Sequence, residues 1–320
     1  MKTRIMLMLC SAFTTVAMFV TTPSSLAQQT AATTTVPVRI AVTANVASDK
    51  RMPQINPEDV VVKQGKQRLQ VTEWIPAQGD RAGVDLFILI DDASSPRLGS
   101  NLDELRTFIN AQPSTTSVGV GYMRNASIQI VQNLTNDHAA AAKALRLPFG
   151  SAGAYGSPYL SVIDLMKRWP ENQNRREVVM VTDGIDRARG GPRWRGLSNN
   201  PDVDSATAVA MRTGTIIHTI YAPGSGRLHR NYWEATSGQM DIAKLSDITG
   251  GESFFLGLQS PVSFKPYLDD LQKVLDNRYW LSFSAKPDTK PGLQYVMLST
   301  EVAGVEFSAP DAVWVPAAAK

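Results

Sequence analysis

The stretch Val84-Asp85-Leu86-Phe87-Ile88-Leu89-Ile90-Asp91-Asp92-Ala93-Ser94-Ser95 decides how the rest of the chain reads. Its apolar run is nearly continuous rather than alternating, which is how a strand buried on both faces of a parallel sheet reads. It stops on two carboxylates and two hydroxyls. In open α/β sheets that carboxyl end is where ligands sit.

Downstream of this run, strands and helices alternate. Leu102, Leu105, Phe108 and Ile109 recur at helical spacing. Ser117 to Tyr122 is a second strand, and Met123 to Ala126 turns the chain into a third, Ser127 to Val131. Asn136-Asp137 caps a helix from His138 to Leu147, and Pro158 to Trp169 is another. Glu177 to Thr182 is a fourth, buried strand ending in Asp183-Gly184. A helix at Asp204 to Arg212, a strand at Thr215 to Tyr221, a helix at Asp241 to Ile248, a short strand at Ser253 to Leu256 and a helix at Phe264 to Leu275 complete the series. The pattern predicts a doubly wound α/β layer with a mostly parallel six-stranded sheet.

Upstream and at the tail the register is β. Val36 to Val42 alternates, Asp59 to Val62 and Arg68 to Ile75 flank the turn signal Gln64-Gly65-Lys66, and Tyr279 to Ser284 and Tyr295 to Thr300 read as strands. Pairing the tail strands with the N-terminal ones gives a small β subdomain where the two chain ends meet. The expected division is a signal peptide at 1–27, an N-terminal β segment at 28–80, the α/β domain at 81–277 and a β tail at 278–320.

Lys2 and Arg4, the apolar run from Ile5 to Val20 and the small-x-small step at Ser25-Leu26-Ala27 mark the leader. They predict an exported chain, secreted or periplasmic, with no membrane span in the mature part. Cleavage takes two positive charges from a formal +3, which leaves no bulk basicity to demand nucleic acid. It also removes Cys10, the only cysteine, so disulfides, thiolate catalysis and cysteine-ligated zinc are excluded from the mature chain. Hydrophobic residues at 43% and charged residues at 19% exclude a disordered chain.

Three segments bring hard oxygen donors to strand ends or helix starts: Asp91 to Ser95, Gly153 to Ser157, and Thr182 to Gly184. Such donors suit Mg²⁺, Mn²⁺ or Ca²⁺. With only two carboxylates, an ion there keeps positive charge and an open position that attracts a carboxylate from a partner. The bland alternative is that the same residues cap helices without metal.

The set resembles the metal-ion-dependent adhesion site of von Willebrand factor A domains, with its Asp-x-Ser-x-Ser motif, threonine loop and later aspartate. The resemblance spans about Val84 to Leu275. With Pro57 to Val60, the Asp-Asp pair and Thr249 to Gly251, the mature chain also resembles secreted von Willebrand-A-related proteins of acidobacteria. The resemblance implies Asp91, Ser95, Ser157 and Asp183 as metal positions, the aspartates acting through metal-bound water and the serines directly. Ala93 departs from the motif, offering no oxygen where a serine belongs. A register starting at Asp92 recovers Ser94 but meets Pro96, so the Asp91 register is preferred.

Arg187, Arg189, Arg193, Trp194 and Arg195 follow Asp183 closely and read as a rim able to grip an acidic or aromatic protein partner. Nucleophile elbow, Walker A and His-Glu-x-x-His motifs are absent from the sequence. Gly119-Val120-Gly121 lies inside a strand and lacks the third glycine of a dinucleotide fingerprint. His218 reads as a core residue, and Asp183 with Asp186 is the weakest candidate, a hydrolytic acid/base pair. The sequence thus predicts a non-catalytic, exported binding module using a degenerate metal site and the Arg/Trp rim. The alternative is a metal-independent envelope scaffold.

Overall fold

The computed structural model describes residues 35–47, 51–153, 155–188, 200–225 and 231–317. The leader, together with Arg189, Arg193, Trp194 and Arg195, lies outside them. In chain order the strands that open the structure are β1 (Val36–Val46), β2 (Val60–Gln64), β3 (Gln67–Leu69) and β4 (Val71–Pro76). The α/β layer follows as β5 (Val84–Asp91), α1 (Gly99–Asn110), β6 (Thr116–Arg124), β7 (Ser127–Thr135), α2 (His138–Lys143) and α3 (Pro158–Lys167). It continues with β8 (Arg175–Thr182), α4 (Pro201–Thr213), β9 (Thr215–Tyr221), α5 (Tyr232–Thr249), β10 (Ser253–Phe254) and α6 (Lys265–Asp276). The tail is β11 (Arg278–Ala285), β12 (Gly292–Tyr295), β13 (Met297–Thr300), β14 (Val305–Ser308) and β15 (Ala312–Val315).

The six-stranded sheet runs β10-β9-β8-β5-β6-β7 and is parallel except for β7, which returns antiparallel to β6. The β6–β7 hairpin turns through Asn125 and Ala126, both at positive φ, as a tight two-residue turn requires. Alternate residues of the central strands feed two cores. Leu86, Ile88 and Ile90 of β5 pack with α1, α2 and α6. Phe87 and Leu89 pack with α3, α4 and α5 on the other face. Burial on both faces explains why β5 lacks alternation. The two glycines of β6 have a packing role, since a Cβ on Gly119 would strike the Phe87 ring and one on Gly121 would strike Ile128.

The chain leaves β5 for β6 on one side, then crosses to β8 on the other. The strand order therefore reverses beside β5, and the crevice at that switch point lies between the carboxyl ends of β5 and β8. Asp91 ends β5, and Asp183 directly follows β8.

The N- and C-terminal strands combine. One antiparallel sheet runs β14-β1-β11-β4, a second runs β13-β2-β3, and β12 pairs with β15. Val42, Trp74, Leu281 and Phe283 lie in their shared core. Several stretches differ from the sequence reading: the helix expected from His138 to Leu147 ends at Lys143, the strand from Ser127 runs on to Thr135, and the tail adds β14 and β15. Arg68 to Ile75 divides at Gln70 into β3 and β4, Tyr295 to Thr300 divides at Val296, and α5 starts at Tyr232 rather than near Asp241.

A buried ion cluster ties the β sheets to the α/β layer. Arg278, at the start of β11, reaches Glu177 of β8 at 3.3 Å and donates to the Gly250 carbonyl at 3.3 Å. Arg175 donates to Glu177 at 2.7 Å. His218 Nδ1 accepts from the Glu252 backbone N–H at 3.0 Å, which leaves Nε2–H to donate to Glu177 at 2.9 Å. His218 is thus a buried structural residue.

Candidate functional site

The site is built at the switch point from four loops. Asp91 is buried, and both of its carboxylate oxygens are engaged. Oδ1 accepts from the Ala93 N–H at 2.8 Å and Oδ2 from the Thr182 hydroxyl at 2.8 Å. Burial and the nearby Asp183 charge raise its pKa to about 6, against the lowering effect of Arg187. Asp92 points elsewhere. It binds Arg146 through two bonds of 2.7 and 3.0 Å, with the guanidinium held between the Tyr122 and Phe149 rings. Asp91, not Asp92, is therefore the carboxylate that faces Asp183.

Asp183 accepts from the Ile185 N–H at 3.0 Å and from both terminal nitrogens of Arg187, at 3.2 Å from Nη1 to Oδ1 and in a close contact from Nη2 to Oδ2. Arg187 is held further by its own Nη1 bond to the Ile185 carbonyl at 3.0 Å and its backbone bond to the Gly156 carbonyl at 2.6 Å. Its side chain is only 18% exposed. The sequence placed this arginine on the outer rim. The structure turns it inward, where the buried Asp183 carboxylate accepts charge-assisted bonds from its guanidinium.

Ser157 caps α3, its hydroxyl accepting from the Leu160 N–H at 3.3 Å. Asp186 lies against Ser157 and Asp202, and burial together with the second carboxyl raises its pKa to about 6. Ser95 joins the other three through its loop alone. Its N–H donates to the Pro223 carbonyl, and its hydroxyl accepts from the Arg97 N–H at 3.3 Å. Ser94 is buried with an unpartnered hydroxyl, beside Gly224 across an isolated bridge.

The donor set does not fit a divalent cation. Asp183 is neutralised by the Arg187 guanidinium, and Ala93 supplies no side-chain oxygen. Among the described residues, no group of three or more His, Cys, Asp or Glu side chains could hold a metal ion. A second cation placed against Arg187 would be repelled. The same pairing removes Asp183 as a free acid or base.

Several contributors were hidden in the sequence. Tyr159 donates to the Gly184 carbonyl at 2.6 Å, and Tyr221, its hydroxyl pushed up to about 12 by burial and Asp183, lies beside the pair. Gly224 closes over it, since a Cβ there would stand 2.6 Å from Asp183 Oδ2 and 3.0 Å from Arg187 Nη2. Gly238 of α5 packs backbone to backbone on the Asp183–Gly184 turn, where Gly184 has φ +70°. Gly238→Ala puts a Cβ 2.3 Å from the Asp183 carbonyl and should cost about 1–3 kcal/mol by forcing α5 off the turn. Urea unfolding reads this directly, and a change below about 0.5 kcal/mol would show that α5 moves freely.

Around the sealed centre the surface is aromatic. Tyr155 is 65% exposed before α3, and Trp233 is 66% exposed in the first turn of α5 beside Tyr232. Phe149 lies exposed in the loop after Arg146.

No family model and no curated protein matches the chain. Solved structures do match at low identity. An aerotolerance-related membrane protein from Bacteroides fragilis is 13% identical over 61% of this chain and 99% of its own, with TM-score 0.39. The VWA domain of SpRpn10 is 15% identical over 59% and 93%, with TM-score 0.38. The N-terminal domain of TFIIH p34 is 10% identical over 59% and 95%, with TM-score 0.36. The chain's own strand order and its crevice beside β5 define a mixed α/β, von Willebrand A-like fold with added antiparallel sheets. Among the described residues, no helix is long and apolar enough to cross a membrane.

Proposed function

We propose that this chain is an exported, non-catalytic protein-interaction module whose adhesion-site remnant is closed by its own arginine and works without metal. The observation that carries the reading is the Asp183–Arg187 pair at the switch point, under a rim that exposes Tyr155, Tyr232 and Trp233. Aromatic side chains and arginines supply much of the binding energy at protein interfaces. Asp183 is paired with Arg187 and both oxygens of Asp91 accept internal bonds, which supports a binding role over a hydrolytic one. The sequence's metal-dependent version, with Mg²⁺ bridging to a partner's acidic side chain, needs the place that the guanidinium takes.

The test is capture of envelope proteins on the immobilised mature chain, in parallel with EDTA and with Mg²⁺. A partner identified by mass spectrometry, confirmed with purified material and retained equally under both conditions is the expected result. Trp233→Ala should weaken it. Retention only with Mg²⁺ would overturn the metal-free reading, and absence of any reproducible partner would overturn the interaction reading.

A further inference from the structure

A second surface lies at the opposite end of the six-stranded sheet from Asp91 and Asp183. There a cleft of about 580 Å³ separates the start of β8 and the last turn of α4 from β1 and β15. That volume suits a drug-sized ligand or a few residues of peptide. Arg39, Arg175, Arg176 and Arg212 line it, and no carboxylate does. Arg175 is spent on Glu177. Arg39 has Glu73 at 3.8 Å, a half-exposed pair that water screens. Arg176 and Arg212 have no ion pair among the described residues; their cation contacts are with the Trp169 and Trp314 rings. The carboxylate behind the cleft, Asp85, accepts from Trp169, Asn172 and Asn174 at 2.6 to 3.2 Å. The cleft is therefore a cationic surface with its nearby negative charge already engaged.

Two of these guanidiniums are held in place. Arg39 lies 4.4 Å from the Trp280 ring centre and Arg212 lies 5.0 Å from that of Trp314. Stacking of this kind orients the planar donors and leaves their edges free for carboxylates.

The backbone adds an independent observation. β1 pairs with β11 from Val36 to Thr43 on one side, but β14 covers its other side only from Thr43 to Val46. Along Val36 to Val42 that other edge has no hydrogen-bonded strand among the described residues; β15 lies near β1 without pairing to it, and Pro37 to Ala41 line the cleft with Pro310 and Trp314. In an antiparallel ladder alternate residues direct N–H and C=O groups to each side. An open edge of this kind is a template for an added strand. Pro37 and the charge of Arg39 discourage pairing with a second copy of the same basic edge.

We propose that this cleft binds an extended acidic peptide segment, its main chain added to the open edge of β1 and its carboxylates meeting Arg39, Arg176 and Arg212. The proposal rests on the reading of the chain as an interaction module and names a partner chemistry and a place for it. Strand addition gives affinity through backbone bonds, and alternate side chains give selectivity. Alternating acidic and aliphatic residues put the carboxylates on one face.

Fluorescence anisotropy with a labelled peptide of alternating Glu and Val tests it on the mature chain, beside a control with Gln for Glu. The acidic peptide should bind at least about tenfold more tightly than the control, the scale of one charge-assisted hydrogen bond. Its binding should weaken as salt is raised. Arg212 is exposed, so Arg212→Glu leaves the fold intact; it should cost at least as much affinity and narrow the preference for the Glu peptide over the Gln peptide. Arg176→Ala is a second variant in a different element. Equal binding of the Glu and Gln peptides, no binding of the acidic peptide, or an unchanged affinity in both variants would overturn the proposal. If the acidic peptide fails while EDTA-resistant partner capture persists, only the cleft proposal falls. If the peptide binds but no partner is captured through the aromatic rim, the rim reading falls and the cleft stands.

Discussion

Glu177→Gln should cost about 3–5 kcal/mol, the scale for breaking a buried ion pair from one side. Such a loss takes up much of the stability of an ordinary domain, about 5–15 kcal/mol. Glutamine keeps the shape but leaves Arg175 and Arg278 buried with their shared carboxylate gone. Arg278 belongs to the β sheets and Glu177 to the α/β layer, so both should loosen together. Urea unfolding followed by tryptophan fluorescence should shift as one transition, since Trp74 and Trp280 report the β sheets and Trp169 the α/β layer. Two separate transitions, or a shift under about 1 kcal/mol, would show that the cluster does not join the halves.

The same cluster sets an acid limit on stability. Burial pushes the Glu177 carboxyl up, but the charge of Arg278, the His218 bond and Arg175 outweigh it and hold the pKa at about 2, below the ordinary 4.5. The unfolded chain therefore takes up a proton first as pH falls. The contribution is complete above about 4.5 and drains away toward pH 2. His218 acts in the same direction. Burial lowers its pKa below 6.5, so protonation of the unfolded chain begins to cost stability as pH falls through that value. In Glu177→Gln the loss between pH 4.5 and 2 should be smaller than in the parent.

Arg187→Ala should be the second large effect. It leaves Asp183 buried without its cation, next to Asp91, at a cost of about 3–5 kcal/mol. Arg187→Lys should recover only part of this, because an ammonium cannot reproduce the paired contact with both Asp183 oxygens. Millimolar Mg²⁺ should raise the melting temperature of Arg187→Ala, and more so with Ala93→Ser added, while leaving the parent unchanged. A stable Arg187→Ala that ignores Mg²⁺ would mean that the guanidinium does not occupy a cation's place.

Much of this architecture was legible because β5 is read by composition alone. Its unbroken apolar run means burial on both faces, and the carboxylate that ends it marks the crevice. The pairing of the chain ends was legible from alternation in β1 and β11. The short tail strands β14 and β15 were not, since four residues give too little periodicity to separate strand from loop. The first half of α5 was missed because Thr236, Ser237 and Gly238 are weak helix formers. Packing on the Asp183 turn holds that half in place, and Asn231 caps it by accepting from the Trp233 N–H. Glu177 and Arg278 offered a signal that was readable in principle, charges inside or beside strands that otherwise read as buried. Their pairing across 101 positions was not readable.

The least legible feature was the direction of Arg187. A cluster of arginines after Asp183 reads as an exposed rim, because sequence shows charge but not which way a loop side chain turns. Ala93 was the visible departure from the metal motif. The compensating cation four residues after Asp183 becomes visible only once the loop is folded.

The most direct test of the closed, metal-free site is calorimetric titration of Mg²⁺, Mn²⁺ and Ca²⁺ into the purified mature chain, with Arg187→Ala and Asp91→Ala beside it. The account predicts no saturable binding by the parent and saturable binding by Arg187→Ala. Binding by the parent that disappears in Asp91→Ala would contradict it and return the site to the metal-dependent class.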